Sequence, residues 1–118
     1  MMEINVVSKH FHIPTIYDVY IGRGSPLGNP YSHMIGTKAE FIVATREIAI
    51  EKYKDWLVEK INKKDKRVIL AIKEILQRLK EYNQVYLVCY CKQIHVDIPC
   101  HGDVIKKFIE DNYEKIKR

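Results

Sequence analysis

Apolar residues follow two different periods along the chain, and these periods predict three strands and three helices. A β-branched stretch predicts a first strand over residues 3–9, and a second short apolar stretch predicts a strand over about 16–21. The strongest strand is predicted over 84–91, where apolar side chains occupy both faces. Because the first connection is too short for a parallel crossover, the first strand is expected to be antiparallel to the second or to lie at a sheet edge.

The helices are predicted from apolar residues that recur every three or four positions. The first begins at a capping box, residues 37–40, and runs to about residue 61. The second covers about 67–82, and the third follows the turn at 100–103. The positions expected to face inward are Ile42, Ala49, Tyr53, Trp56, Leu57, Val68, Ile72, Ile75, Leu76, Leu79, Val104, Ile105, Phe108, Ile109, Tyr113 and Ile116.

This order of elements predicts an α/β fold: one small three-layer Rossmann-like domain over residues 1–118, with about three strands, two of them parallel, and three helices. The helical segment between the second and third strands is long enough for a parallel crossover. The loops that follow these two strands then open on the same edge of the sheet, where open α/β sheets bind ligands. A three-stranded sheet is small, so a homo-oligomer is expected.

The composition is that of an ordinary globular protein, with 47% hydrophobic and 30% charged residues. No apolar run reaches the length that spans a bilayer, and the first residues do not resemble a secretory signal. We therefore expect a cytoplasmic protein without a membrane partner. In that compartment the three cysteines are expected to be thiols or metal ligands rather than disulfides.

The formal net charge is +5, with an isoelectric point of about 9.1. The lysines are spread over helical faces and alternate with glutamates, as on a solvated helix surface. There is no nucleic-acid-binding motif and no basic stripe with interleaved aromatic residues, so nucleic acid is disfavoured as a partner. The charge favours small anionic ligands instead.

Residues 20–31 stand out because they hold three of the five glycines and two of the four prolines. Such a segment has no ladder for its backbone hydrogen bonds, while glycine lets a ligand approach the backbone closely. We name residues 22–30 the glycine loop. Arg23 lies within it and carries a planar donor fork that suits phosphate. Arg46 follows on the apolar stripe of the first helix, where it extends its charged end to solvent, pairs with a buried acid or contacts a ligand. An ordinary long turn is the alternative interpretation.

The turn at 100–103 precedes the last helix, and we name it the Cys-His turn. Free amides and the helix dipole at such a position favour an anion, most naturally a phosphate, and would also stabilise a Cys100 thiolate. Cys100 and His101 are not expected to form a catalytic dyad, because neighbours in sequence on a helix do not face each other. The catalytic residues, if any, are unknown at this stage. The residues predicted to bind a ligand are Tyr20, Gly22, Arg23, Gly24, Ser25, Gly28, Asn29, Arg46, Cys100, His101, Gly102 and Asp103.

A zinc site is the alternative for the cysteine-rich part of the chain. Cys89 and Cys91 share one face of the third strand, and Cys100 or His101 could complete a tetrahedron. Cysteines on an apolar strand are also common core residues, and burial is the preferred interpretation. No cofactor is therefore expected, with zinc as the alternative.

Motifs in both regions resemble those of domain of unknown function family 4326, small proteins of phages and bacteria. The resemblance covers about residues 17–109 in the same order. The matching residues are Gly22-Arg23, Gly28-Asn29-Pro30, Arg46, Ala49-Ile50, Tyr53, Trp56-Leu57, Cys89, Cys91 and Cys100-His101-Gly102-Asp103. Residues 93–97 lengthen the interval between the cysteines relative to the family pattern, which argues against a metal site that needs tight spacing. The family has no established activity to transfer.

Three functions follow from these features. The leading hypothesis is binding of a small phosphate-bearing, nucleotide-like molecule between the glycine loop and the Cys-His turn. By analogy, a small phage protein with such a pocket would be an anti-defence sponge for a nucleotide-derived immune signal, in the host cytoplasm. The alternatives are an enzyme that cleaves a nucleotide-derived substrate, with Cys100, His101 or Asp103 as acid or base, and a zinc-stabilised structural or interaction protein.

Overall fold

The last strand of the described residues occupies the centre of the main sheet. The computed structural model describes residues 3–9, 12–22, 25–32, 41–43, 45–89 and 100–116, and only the backbone at 31, 32, 41, 42, 46 and 114–116. Its elements are β1 (Glu3–Ser8), β2 (Asp18–Tyr20), β3 (Tyr31–Ser32), β4 (Phe41–Ile42), α1 (Arg46–Asn62), α2 (Lys66–Tyr82), β5 (Gln84–Cys89) and α3 (His101–Ile116). None of the helices in these ranges is long and apolar enough to cross a membrane.

The main sheet has the order β1-β5-β2, and both outer strands run parallel to β5. Val6 pairs with Leu87 on one side of β5, and Val19 pairs with the same residue on the other side. The α/β class is confirmed, with three parallel strands rather than two. β1 lies at the edge of the sheet, as one of the two alternatives predicted. The other alternative, an antiparallel pairing with the second strand, was wrong because β5 lies between them.

The buried core joins one face of this sheet to all three helices. Residues that are in register across parallel strands point to the same side, so Ile4, Val85, Leu87 and Val19 share a face. These four side chains belong to one buried cluster with side chains of α1, α2 and α3. The helical members of the cluster are Tyr53, Leu57, Val68, Ile72, Ile75, Leu79, Ile105 and Ile109. Over the described residues the helices therefore form one layer against the sheet, which gives two layers rather than three.

The start of α1 differs from the prediction. Thr45 is the N-cap, with extended backbone and a side chain that accepts from the backbone N–H of Ile48 at 3.1 Å. Within the segment predicted as the first two turns, β4 pairs in parallel with β3 to form a second, two-stranded sheet. Ile42 is therefore in a strand and not on the helical stripe. The capping box at 37–40 lies outside the described residues.

The other two helices lie where the periodicity predicts them. α2 begins after Asp65, whose side chain accepts from two backbone N–H groups, and it ends at Asn83 in the left-handed conformation with φ 63°. α3 begins at His101, directly after Cys100. This boundary decides the chemistry of the Cys-His turn, because it leaves Cys100 outside the helix.

Candidate functional site

The end of β2, directly before the glycine loop, meets the Cys-His turn at the carboxyl edge of the main sheet. Tyr20 pairs with Val88, and the next residue, Ile21, donates its backbone N–H to the carbonyl of Val88 at 2.9 Å. From the other segment, Nε2 of His101 lies 2.6 Å from the carbonyl oxygen of Ile21. The two segments are separated by 80 positions in sequence, so this contact is a product of the fold. The Cys-His turn therefore lies against the residue that directly precedes the glycine loop, and a ligand site between the two segments stays a prediction.

The described part of the glycine loop is held by its own hydrogen bonds. The Ser25 hydroxyl donates to the carbonyl of Gly22 at 2.6 Å, and the Ser25 N–H donates to the same carbonyl at 3.1 Å. The N–H of Gly28 in turn donates to the carbonyl of Ser25 at 3.0 Å. The ring of Tyr20 lies against Gly22 in the space that a Cβ atom would occupy. Only glycine therefore fits at this position without moving the tyrosine.

Helix α1 anchors the other end of the loop. The Tyr53 hydroxyl donates to the carbonyl of Leu27 at 2.7 Å, and the Asn29 side chain donates to the carbonyl of Ala49 at 3.3 Å. Tyr53 is fully buried, and its ring lies edge-on to the His101 ring with 5.1 Å between centroids. Burial raises the pKa of Tyr53 well above its ordinary value, and negative charge on Cys100 raises it further. The tyrosine thus links the loop and the turn in its neutral form.

Cys100 and His101 contact each other, although they are adjacent in sequence. A carbonyl oxygen can only accept a hydrogen bond, so Nε2 of His101 must carry the hydrogen that it shares with Ile21. Nδ1 then faces the Cys100 sulfur at 3.7 Å. Our expectation that these neighbours would not face each other was wrong. It assumed that both residues are helical, whereas Cys100 precedes the helix and its sulfur lies near the N–H of Gly102 in the first turn.

The first turn of α3 satisfies several of its own amides. The Asp103 carboxylate accepts from the N–H of Cys100 at 3.0 Å, and the N–H of Asp103 donates to the carbonyl of Cys100 at 2.9 Å. The N–H of Gly102 points to the Cys100 sulfur at 3.4 Å. Asp103 therefore caps its own helix, and the amides of Cys100, Gly102 and Asp103 have partners within the chain. His101 and Gly102 are also buried, beneath the surface of the turn.

Two cysteine sulfurs lie side by side under this turn. The Sγ atoms of Cys89 and Cys100 are 3.1 Å apart, both residues are fully buried, and neither is in a disulfide. Within the described ranges there is no group of three side chains that could hold a metal ion. The remaining predicted ligand, Cys91, lies outside those ranges, so the zinc alternative stays a prediction.

The other predicted binding residues are either described in full or lie partly or wholly outside the described residues. Tyr20 is 40% exposed at the edge of the sheet, while Ser25 and Gly28 are half-buried and Asn29 is buried. Arg46 is the first residue of α1 and is described by its backbone alone. Arg23 and Gly24 lie outside the described residues. The structure therefore brings together the turn and the ends of the loop.

The contacts of Tyr53, Leu27 and Ile21 were not predicted from the sequence. Tyr53 was expected only as an apolar residue on the stripe of the first helix, without a role for its hydroxyl. A buried tyrosine usually finds a hydrogen-bond acceptor, and that rule was the available signal. The carbonyl groups of Leu27 and Ile21 gave no signal, because backbone acceptors are the same at every residue.

A concave feature lies between α1 and α3, outside the predicted site. It is a groove of about 220 Å³ that includes two lysines, one acid and several apolar side chains. Its lining residues are Lys54, Leu57, Val58, Val104, Lys107, Phe108, Asp111 and Asn112.

Comparison with known proteins gives a family without a function. No curated protein and no solved structure matches the chain. Residues 5–111 match the family described as domain of unknown function (DUF4326). This match spans most of the chain and includes the glycine loop, α1 and the Cys-His turn, so the protein belongs to the DUF4326 family.

Proposed function

We propose that the protein binds a small phosphate-bearing, nucleotide-like molecule between the glycine loop and the Cys-His turn. The observation that carries this proposal is the contact between Nε2 of His101 and the carbonyl of Ile21 at 2.6 Å. It brings together the segments that follow two neighbouring parallel strands, and that edge of the sheet is where ligands usually bind in open α/β folds.

The two arginines are the proposed anion ligands. Arg23 lies in the glycine loop between Gly22 and Ser25, whose backbones are hydrogen-bonded to each other. Arg46 begins α1, and the Asn29 side chain ties the loop to this helix one turn later, at Ala49. Two guanidinium groups at this edge would give fork-like, charge-assisted hydrogen bonds to phosphate oxygens.

The amides of the Cys-His turn have a smaller part in this proposal than the sequence suggested. Those of Cys100, Gly102 and Asp103 have partners within the chain, and the Asp103 carboxylate adds negative charge at the helix end. The overall charge of +5 still attracts an anionic ligand to the protein. The turn therefore acts as a support, and the arginines supply the charge.

The biological role that we propose is sequestration. A small phage protein with such a site would be a sponge for a nucleotide-derived immune signal, and it would act in the host cytoplasm. This role is proposed by analogy, and the chemical state of the released ligand distinguishes it from catalysis. A sponge releases its ligand unchanged when the protein is denatured.

Thermal-shift measurements against a panel of mononucleotides, dinucleotides and cyclic nucleotides test the binding proposal. The wild type should be stabilised by at least one phosphate-bearing compound but not by its nucleoside. Arg23→Ala and Arg46→Ala should each weaken that compound by roughly ten- to a hundred-fold, the value of a lost charge-assisted hydrogen bond. Arg67→Ala is the matched control, because Arg67 is exposed on α2. Equal weakening by all three variants would show a general charge effect and contradict the site.

Catalysis is the second candidate, and the contact of Cys100 with His101 favours it. A nucleophile beside an imidazole whose other nitrogen is fixed by a hydrogen bond is the arrangement that activates catalytic thiols. Incubation with the same panel, followed by denaturation and chromatography, separates the two functions. Intact compound supports binding alone. If the wild type alters a compound and Cys100→Ala leaves it intact, the result supports an enzyme that cleaves a nucleotide-derived substrate.

A further inference from the structure

The paired sulfurs of Cys89 and Cys100 are not used by the proposed binding function. Cys89 ends β5 and Cys100 immediately precedes α3, so the pair connects the central strand to the last helix. The two sulfurs are 3.1 Å apart, about 1 Å more than the length of a disulfide bond. A small side-chain movement is enough to join them.

The described surroundings of Cys100 favour a role as the attacking sulfur. Cys100 has Nδ1 of His101 at 3.7 Å and receives the N–H of Gly102 at 3.4 Å, and it lies at the N-terminus of a 16-residue helix. A neighbouring imidazole, an amide donor and a helix N-terminus each stabilise a thiolate. Among the described residues, two further titratable groups lie near Cys100: the buried Tyr53, and the Asp103 carboxylate, whose negative charge opposes a thiolate. Cys100 is therefore the nucleophile of the pair, and Cys89 is placed to resolve it.

We propose that Cys89 and Cys100 are a redox-active dithiol that a peroxide converts reversibly into a disulfide. The Cys100 thiolate attacks one oxygen of the peroxide, the O–O bond breaks, and Cys100 becomes a sulfenic acid as the other oxygen leaves as hydroxide or water. The Cys89 sulfur then attacks the Cys100 sulfur and releases the second oxygen as water. Two thiols and one hydrogen peroxide thus give one disulfide and two waters. A dithiol reductant reverses the change by thiol–disulfide exchange.

Oxidation has a local consequence for the Cys-His turn. The new bond would draw the Cys100 sulfur towards β5 and away from the imidazole of His101, and it would cross-link the two ends of residues 90–99. The turn that supports the proposed ligand site would then be fixed to the sheet. This proposal stands apart from ligand binding, since the dithiol can cycle whether or not a nucleotide binds.

The test uses reduced full-length protein and stoichiometric hydrogen peroxide. After acid quenching, denaturation and alkylation, the oxidised protein should have lost two hydrogen atoms and should carry one alkyl group, at Cys91. Peptide mapping should find the cross-link between Cys89 and Cys100, and a dithiol reductant should restore three alkylation sites. Cys91→Ser is the matched control and should form the same cross-link. A cross-link to Cys91, a disulfide between two chains, or sulfenic acid without a cross-link would overturn the proposal.

His101→Gln examines the role of the imidazole, because glutamine can still donate to the carbonyl of Ile21. Cross-linking should be roughly ten-fold slower than in the wild type near neutral pH, and the two rates should converge at alkaline pH, where thiols ionise without help. Equal cross-linking rates of the two proteins at every pH would show that the imidazole has no part in the reaction. A difference in rate that persists at alkaline pH would assign the imidazole a purely structural role. Neither result alters the wild-type peptide map, which decides whether the dithiol exists.

Discussion

Replacing Tyr53 with phenylalanine tests how the glycine loop is held to the helical layer. Tyr53 is fully buried, and its hydroxyl donates to the carbonyl of Leu27 at 2.7 Å. Phenylalanine keeps the ring, which stacks on Trp56 at 5.3 Å and meets the ring of His101 edge-on at 5.1 Å. The variant therefore removes one hydrogen bond and leaves the apolar packing in place.

The expected loss of stability follows from this bond. An intramolecular hydrogen bond contributes roughly 1 kcal/mol net, and a buried acceptor left without its donor costs about 1–3 kcal/mol. Leu27 is buried, so water does not easily replace the hydroxyl. We expect Tyr53→Phe to lower the free energy of unfolding by about 2 kcal/mol at neutral pH. Tyr82→Phe is the matched control, because Tyr82 is 38% exposed, and it should change stability by less than about 0.5 kcal/mol.

The same variant should also change how stability depends on alkaline pH. The pKa of Tyr53 in the folded state lies well above its ordinary value of 10.0, so above that pH the unfolded chain loses this proton while the folded protein keeps it. The stability that the hydroxyl contributes is therefore fully present below the pKa of Tyr53 in the unfolded chain. It is lost as the pH rises towards the pKa of Tyr53 in the folded protein. At about pH 11, ionisation of this tyrosine favours the unfolded state by about 1.4 kcal/mol. The difference between wild type and Tyr53→Phe should shrink by that amount.

Urea denaturation of wild type, Tyr53→Phe and Tyr82→Phe, at neutral pH and at about pH 11, measures both effects. The midpoints should differ at constant m-value, since the surface exposed on unfolding is nearly unchanged. The lysines titrate in the same pH range, but they are common to all three proteins and cancel in the differences. A Tyr53→Phe variant as stable as the control at neutral pH would refute the hydrogen bond as a structural tie. A pH-independent difference would refute the burial argument.

Two further substitutions test the Cys-His turn. Gly102→Ala should lower the free energy of unfolding by roughly 1–2 kcal/mol, because the added Cβ would lie 2.7 Å from Val6 in a packed core. This overpacking exceeds the gain in helix propensity. An unchanged or higher melting temperature would contradict the close packing. Asp103→Ala should cost about 1 kcal/mol, because it removes the acceptor for the N–H of Cys100 and a favourable charge at the helix N-terminus. Asp111→Ala, near the other end of the same helix, should cost less in the same thermal melts, and equal losses would argue against capping.

Local patterns predicted most of the elements. The second helix starts and ends within a residue of its prediction, because apolar periodicity, an aspartate cap and a left-handed asparagine agree there. The first helix was predicted about eight residues too early. A capping-box pattern was read at residues 37–40, whereas Thr45 is the observed cap and β4 precedes it. The pairing of β3 with β4 decides this boundary, and strand pairing depends on partners that a local window does not contain.

The candidate site was predictable in outline only. Parallel strands place their following loops on one edge, so the meeting of the glycine loop and the Cys-His turn follows from topology. The contacts within it do not, because the acceptors for His101 and Tyr53 are backbone carbonyls that no residue type marks. The contact of Cys100 with His101 depended on a helix boundary at a single residue, and boundaries are the least certain part of a sequence prediction.

The central position of β5 has a consequence for biosynthesis. β1 and β2 are made first, yet neither pairs with the other, and each takes its hydrogen bonds from a strand that begins at Gln84. A ribosome-bound chain that ends before β5 cannot form the main sheet. β1 and β2 therefore remain unpaired in that sheet until β5, the seventh element of the described chain, leaves the exit tunnel. Pairing β5 with β1 and with β2 then closes a long loop of chain in each case. Such closure slows folding and leaves strand edges exposed to other chains in the meantime.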